Sequence, residues 1–170
     1  FVSLKDAKFT GKVFFRVHSL PPLGLVEYRT TPAYEIARAT REETPLPATF
    51  HSFEREMLRD DLKAVLQSAV IDIDFLSVDR SASEKLAAQF SLPLEPLAQC
   101  SIVKTSTSYV RIYDSFQRLS DLANPSAKLA EVRVKLYMED LGPAVSEVEA
   151  APPPTREVPP PGDELEEFQL

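Results

Sequence analysis

Two carboxylates one residue apart, Asp72 and Asp74, are the residues of this chain whose spacing most directly offers chemistry. On a strand both would project to one face, as a divalent-cation site requires, whereas on a helix they would diverge by about 200°. With Asp79 or Glu84 as a third ligand, a strand across residues 70–76 would give a metal-dependent enzyme its minimal ligand set. The residues before the pair, Leu66-Gln67-Ser68-Ala69, contain no glycine that would let the backbone approach a phosphate. No Gly, Pro or Asn separates the pair from the helical pattern upstream, which favours a continuing helix with a solvated acidic edge. Asp72 and Asp74 therefore stand as the sole metal candidates, and no catalytic residue and no cofactor is assigned. His18 and His51 are the two histidines, and neither has a serine or carboxylate neighbour in a recognisable triad pattern. Cys100 lies at the start of a predicted helix, where the dipole lowers a thiol pKa, yet beside Ala98 and Ile102 it reads as a small core residue.

The basic residues offer a second chemistry. Lys104, Arg111 and Arg118 are seven apart and would form one stripe along a helix, continued by Lys128, Arg133 and Lys135 on the next. Asp114 and Asp121 follow Arg111 and Arg118 by three residues, which fits a solvated ladder of intrahelical pairs. Lys12, Arg16 and His18 surround Phe14 on a strand. A strand followed by helices resembles ribbon-helix-helix regulators in outline, although a second strand and two prolines intervene here. Lys12, Arg16, Lys104, Arg111 and Arg118 are the candidate nucleic-acid contacts.

Charge divides the chain. Of a net charge of −7 over 170 residues, nearly all falls in residues 144–170, where Arg156 stands against seven acids. Pro152, Pro153, Pro154, Pro159, Pro160 and Pro161 disfavour helix and sheet there, so a solvated, partly polyproline-like tail is expected. Its end, Gly162-Asp163-Glu164-Leu165-Glu166-Glu167-Phe168-Gln169-Leu170, is similar in chemistry to the acidic tips by which bacterial single-stranded-DNA-binding proteins recruit partners, except that those stop at the aromatic. The resemblance covers nine residues and no fold. It implies that Leu165 and Phe168 bury in a partner's groove while Glu164, Glu166 and Glu167 steer towards its bases.

The remaining composition is that of a globular domain, with 44% hydrophobic and 26% charged residues. Residues 1–143 are expected to fold as one domain, with a strand and loop part over 1–50 and a helical part over 51–143. One cysteine rules out an intrachain disulfide and a cysteine zinc site, and favours a reducing, cytoplasmic setting. No apolar run of about 18 residues is present, so no membrane partner is expected. The first residue, Phe1, leaves room for residues upstream that would carry any targeting signal.

Periodicity supplies the elements. Val13, Phe15 and Val17 alternate with Lys12, Phe14 and Arg16, which predicts a strand with one buried face. Pro21, Pro22 and Gly24 break it before a second strand over 25–30, completing a hairpin. Thr31-Pro32 opens a predicted short helix over 33–40. Phe53, Met57, Leu58, Leu62, Val65, Leu66 and Ala69 predict a longer helix from Ser52. Ser81-Ala82-Ser83-Glu84 fits a capping box for another short helix ending before Pro93. Leu92, Leu94 and Leu97 belong to an extended connector pinned to the core. Tyr109, Ile112, Tyr113, Phe116, Leu119 and Leu122, then Leu129, Val132, Leu136 and Leu141, predict an antiparallel pair of helices. The expected fold is α+β but mainly α: an N-terminal hairpin on a long central helix and a C-terminal helical hairpin. The expected function is a non-enzymatic adaptor or assembly component with a protein partner, and the alternative is a nucleic-acid-associated regulator.

Overall fold

β-Branched and aromatic residues make up most of residues 11–17 and 70–78, and these segments form strands. A computed structural model of the chain describes residues 1–30, 33–47 and 51–142. Among these, the first antiparallel sheet runs in the order β5 (Thr44–Pro45), β1 (Ser3–Lys5), β10 (Lys128–Asp140), β9 (Tyr109–Ser120), β8 (Ile102–Lys104). In the second, β3 (Tyr28–Arg29) lies beside β2 (Gly11–Val17), then β6 (Val70–Val78) and β7 (Glu84–Pro93). The strand β4 (Tyr34–Ile36) pairs with the opening half of β2. Two α-helices accompany the sheets among the described residues, α1 (Arg59–Ser68) before β6 and α2 (Glu95–Gln99) after β7. Neither is long and apolar enough to cross a membrane.

The sheets share one core. Val13, Phe15, Val17, Ile71, Ile73 and Phe75 meet Leu4, Leu119, Ala130, Val132 and Val134, and all are buried. Phe15 is its centre: Phe1 stacks on it at 4.0 Å between ring centroids, and Phe75 and Tyr34 tilt against it at 5.2 and 6.2 Å. Such contacts add to the area term, which for a buried Phe is about 2–3 kcal/mol. A backbone hydrogen bond of 3.1 Å from Leu122 to Ala87 ties the end of β9 to β7, so the sheets are held together at that side.

The mainly helical architecture is overturned. The long central helix is ten residues, Arg59–Ser68, and residues 51–58 before it take no regular structure. The segment expected to continue that helix is β6, and the capping-box segment is a tight turn leading into β7. There Asp79 accepts hydrogen bonds from the amides of Ser81 and Ser83 at 2.8 and 2.9 Å, so the motif closes a hairpin instead of opening a helix. The expected helical hairpin is the β9–β10 ribbon, antiparallel as predicted but of the other element type. The short helix over 33–40 is replaced by β4 among its described residues, Thr31 and Pro32 lying outside them. In the β9–β10 ribbon a spacing of four, as from Val132 to Leu136, satisfies a period of two as well as one of 3.6, whereas in β7 a bulge puts Leu86 opposite Leu76 and Phe90 opposite Ile73, on the other face. The intervening Ala88, Ala130 and Val134 are small or β-branched residues that belong to the strand's inner face. The predicted strand at β2 does form, with Val13, Phe15 and Val17 inside, but Phe14 on its opposite face is buried too. Arg29 lies over that ring at 4.0 Å and is held by Glu84 at 3.0 Å.

Candidate functional site

Strand register assembles the polar cluster that the sequence only half reveals. Residues directly opposite one another in a sheet point to the same side. Arg16 pairs with Asp74 and Asp74 with Gln89, while Asp72 pairs with Ser91. The outer face of the second sheet therefore carries Arg16 and His18 from the β2 strand and its end, both aspartates from β6, and Gln89 and Ser91 from β7. A depression of about 380 Å³ lies over them.

Asp74 is 2% exposed and both oxygens of its carboxylate are hydrogen-bonded. Oδ2 accepts from Arg16 Nε at 3.0 Å, Arg16 Nη2 at 2.5 Å and His18 Nε2 at 2.8 Å, and Oδ1 accepts from Gln89 Nε2 at 2.7 Å. Burial alone would raise its pKa, but the hydrogen bonds from Gln89, Arg16 and His18 outweigh burial and hold it below the ordinary carboxylate range. The same bond raises the pKa of Arg16. A carboxylate that already accepts four hydrogen bonds from three side chains is held as the anion and strongly disfavours a proton. Its chemistry is that of a clamp joining β2, β6 and β7.

Asp72 is exposed and accepts from Ser91 Oγ at 2.6 Å. The strand does aim both aspartates one way, as the metal reading requires. Asp79, however, is engaged in its own turn and Glu84 is paired with Arg29. Among the described residues, no three His, Cys, Asp or Glu side chains are grouped as a metal would need. His18 has the carboxylate neighbours that were not legible in sequence, Asp74 at 2.8 Å and Glu27 at 3.9 Å. His51 stacks on Tyr28 at 3.7 Å. Cys100 follows α2 instead of starting a helix, and its thiol donates to the Pro96 carbonyl at 3.1 Å.

The fold does not bring the five candidate nucleic-acid contacts together. Lys12 and Arg16 are on the second sheet, Arg16 being committed to Asp74, while Lys104, Arg111 and Arg118 are on the first. Seven residues apart on one strand, Arg111 and Arg118 face opposite ways. Arg111 donates to the Ala98 and Cys100 carbonyls at the end of α2, and Arg118 donates to Ser120 and Ser126. Leu165, Phe168, Glu164, Glu166 and Glu167 lie outside the described residues, as does the rest of 143–170.

A surface that sequence reading missed is the outer face of the first sheet. Across β9 and β10 its rows read Ile112 with Tyr137, Asp114 with Lys135, Phe116 with Arg133, and Arg118 with Glu131. Val103 on β8 joins the apolar end through Val110. Val103, Ile112, Phe116 and Tyr137 are 40–51% exposed. Between them Arg133 grips Asp114 with two bonds of 2.9 and 2.8 Å, and Lys135 stands 3.6 Å from the same carboxylate. Ile112 and Phe116 are two of the residues whose four-residue spacing suggested a helix core; on a strand that spacing puts both on the open side. Comparison with protein-family models and with curated proteins finds no match for this chain.

Proposed function

We propose that this protein is a non-enzymatic adaptor that binds a protein partner. The observation that carries the reading is the cluster of Val103, Ile112, Phe116 and Tyr137, large apolar side chains left open to water on one sheet face. Val103, Ile112 and Tyr137 form an apolar patch bordered on one side by the Asp114–Lys135 row, with Phe116 beyond it, and satisfied charges alternating with exposed apolar side chains suit a partner of mixed character. Enzymatic chemistry receives no comparable support, since the buried carboxylate at Asp74 is engaged on both oxygens by Arg16, His18 and Gln89. The acidic segment with Leu165 and Phe168 is the second element of the reading, a peptide suited to a basic, apolar groove.

Affinity capture from lysate by the full chain tests this, alongside an Ile112→Glu, Tyr137→Glu chain and a Leu165→Glu, Phe168→Glu chain of unchanged circular dichroism. Charges at the centre of an interface should lower recovery of specific partners by about tenfold or more. Identical partner sets from all three chains would overturn the proposal.

A further inference from the structure

Beside that open face the first sheet carries a basic cleft of about 400 Å³ lined by Lys5, Asp6, Lys8, Arg41, Lys128 and Glu131. Lys128 is neutralised within it, its Nζ standing 2.7 Å from Asp6 and 3.1 Å from Glu131. Among the described residues Lys5, Lys8 and Arg41 have no carboxylate within 4 Å, although Lys8 and Arg41 act on Asp6 at longer range. Two local connections hold the three bases together: the Lys8 amide donates to the Leu129 carbonyl at 2.9 Å, and Ala7 bridges Thr40, next to Arg41. Lys5 Nζ also lies 5.7 Å from the centre of the exposed Phe116 ring, so one base of the cleft reaches an aromatic outside it. Unpaired cations beside an aromatic suit a ligand that carries carboxylates next to an apolar side chain.

The chain contains such a ligand. Asp163, Glu164, Glu166 and Glu167 place four carboxylates around Leu165 and ahead of Phe168. We propose that the segment 163–168 docks in the cleft of its own chain, its carboxylates on Lys5, Lys8 and Arg41 and an apolar residue against Phe116. The proposal rests on the reading of the tail as a docking peptide, and adds a site for it on this chain. The connection is long enough. The cleft lies at the Lys128 end of β10, roughly 40 Å from the Asp140 end at about 3.3 Å per residue. The 21 residues from Gly142 to Asp163 span roughly 65 Å when extended at about 3.1 Å per residue. Tethering of this kind supplies an effective concentration on the order of 1 mM, so a weak peptide contact suffices for occupancy.

The test is an amide NMR comparison of the full chain with a full chain carrying Glu164→Gln, Glu166→Gln and Glu167→Gln. Neutralising the tail should shift the resonances of Lys5, Lys8, Arg41 and Phe116 and leave those of Asp72 and Ser91 in place. A synthetic peptide of residues 162–170, added to the neutralised chain, should move the cleft resonances back, and its affinity should weaken roughly tenfold between low and high salt. Lys5→Glu with Arg41→Glu should shift residues 163–168 reciprocally. Cleft resonances that ignore tail neutralisation overturn the proposal. So does a cleft that responds to duplex DNA or inorganic phosphate but not to the peptide. Either result leaves the capture experiment untouched, so intramolecular docking and partner binding succeed or fail separately.

Discussion

Removing Arg16 and removing Asp74 are unequal injuries, because the two partners differ in what they leave behind. Arg16→Met leaves a carboxylate only 2% exposed with His18 and Gln89 as its remaining donors. A charge stranded in that way costs about 3 kcal/mol. Asp74→Asn leaves Arg16 and His18, whose side chains are both 39% exposed and can rehydrate, so the cost is about 1–2 kcal/mol. Urea unfolding of both variants at neutral pH should rank Arg16→Met below Asp74→Asn, and the opposite ranking would sink the clamp. Half of this cluster is legible in sequence. Asp72 and Asp74 stand out by their spacing, but Arg16 and His18 have the same spacing and carry hydrogen-bond donors. Two such doublets are the signature of facing strands; a helix across residues 70–76 conceals it, because there the two aspartates diverge.

Turns decide the elements here more than propensity does, and the β6–β7 turn makes a measurable case. Ala82 sits at φ +62°, in the left-handed region where its Cβ is unfavourable. Ala82→Gly should therefore stabilise the protein by about 0.5–1 kcal/mol net of glycine's entropy in the unfolded chain, seen as a higher melting temperature. A lower melting temperature would show that the turn gains from alanine what its backbone loses. Sequence reading places a boundary at these residues and mistakes its kind: Asp79 and its hydroxyl neighbours serve a turn as readily as a helix cap. The β2 strand is legible because its alternation is uninterrupted. The C-terminal ribbon is legible as an antiparallel pair, since Asn124-Pro125 marks the reversal, but not as strands, because strand partners are chosen across the sheet. Leu92, Leu94 and Leu97 are buried as expected, although the last of them lies on α2.

Acid is the condition to which the whole molecule is most exposed. Asp114 is held below its ordinary pKa chiefly by the Arg133 hydrogen bond, Asp6 by Lys128 and Asp79 by Ser81, while at Asp74 the donors outweigh burial. A carboxylate depressed in the folded state contributes stability that is complete above its unfolded pKa of about 3.9 and disappears as pH falls through the folded value. The urea midpoint should hold from neutrality to about pH 5 and decline below about pH 4, less steeply in Asp74→Asn. A midpoint constant to about pH 3 would mean that these pairs do not survive in solution. The sheet that carries the Asp6 and Asp114 pairs also sets a schedule for biosynthesis. Strand β1 lies between β5 and β10, and Ser3 faces Arg133, translated about 130 residues later. At about 5–20 residues per second a ribosome takes roughly 6–25 s to deliver that partner. Throughout that interval Leu4, wholly enclosed in the finished protein, waits in the nascent chain as bait for chaperones.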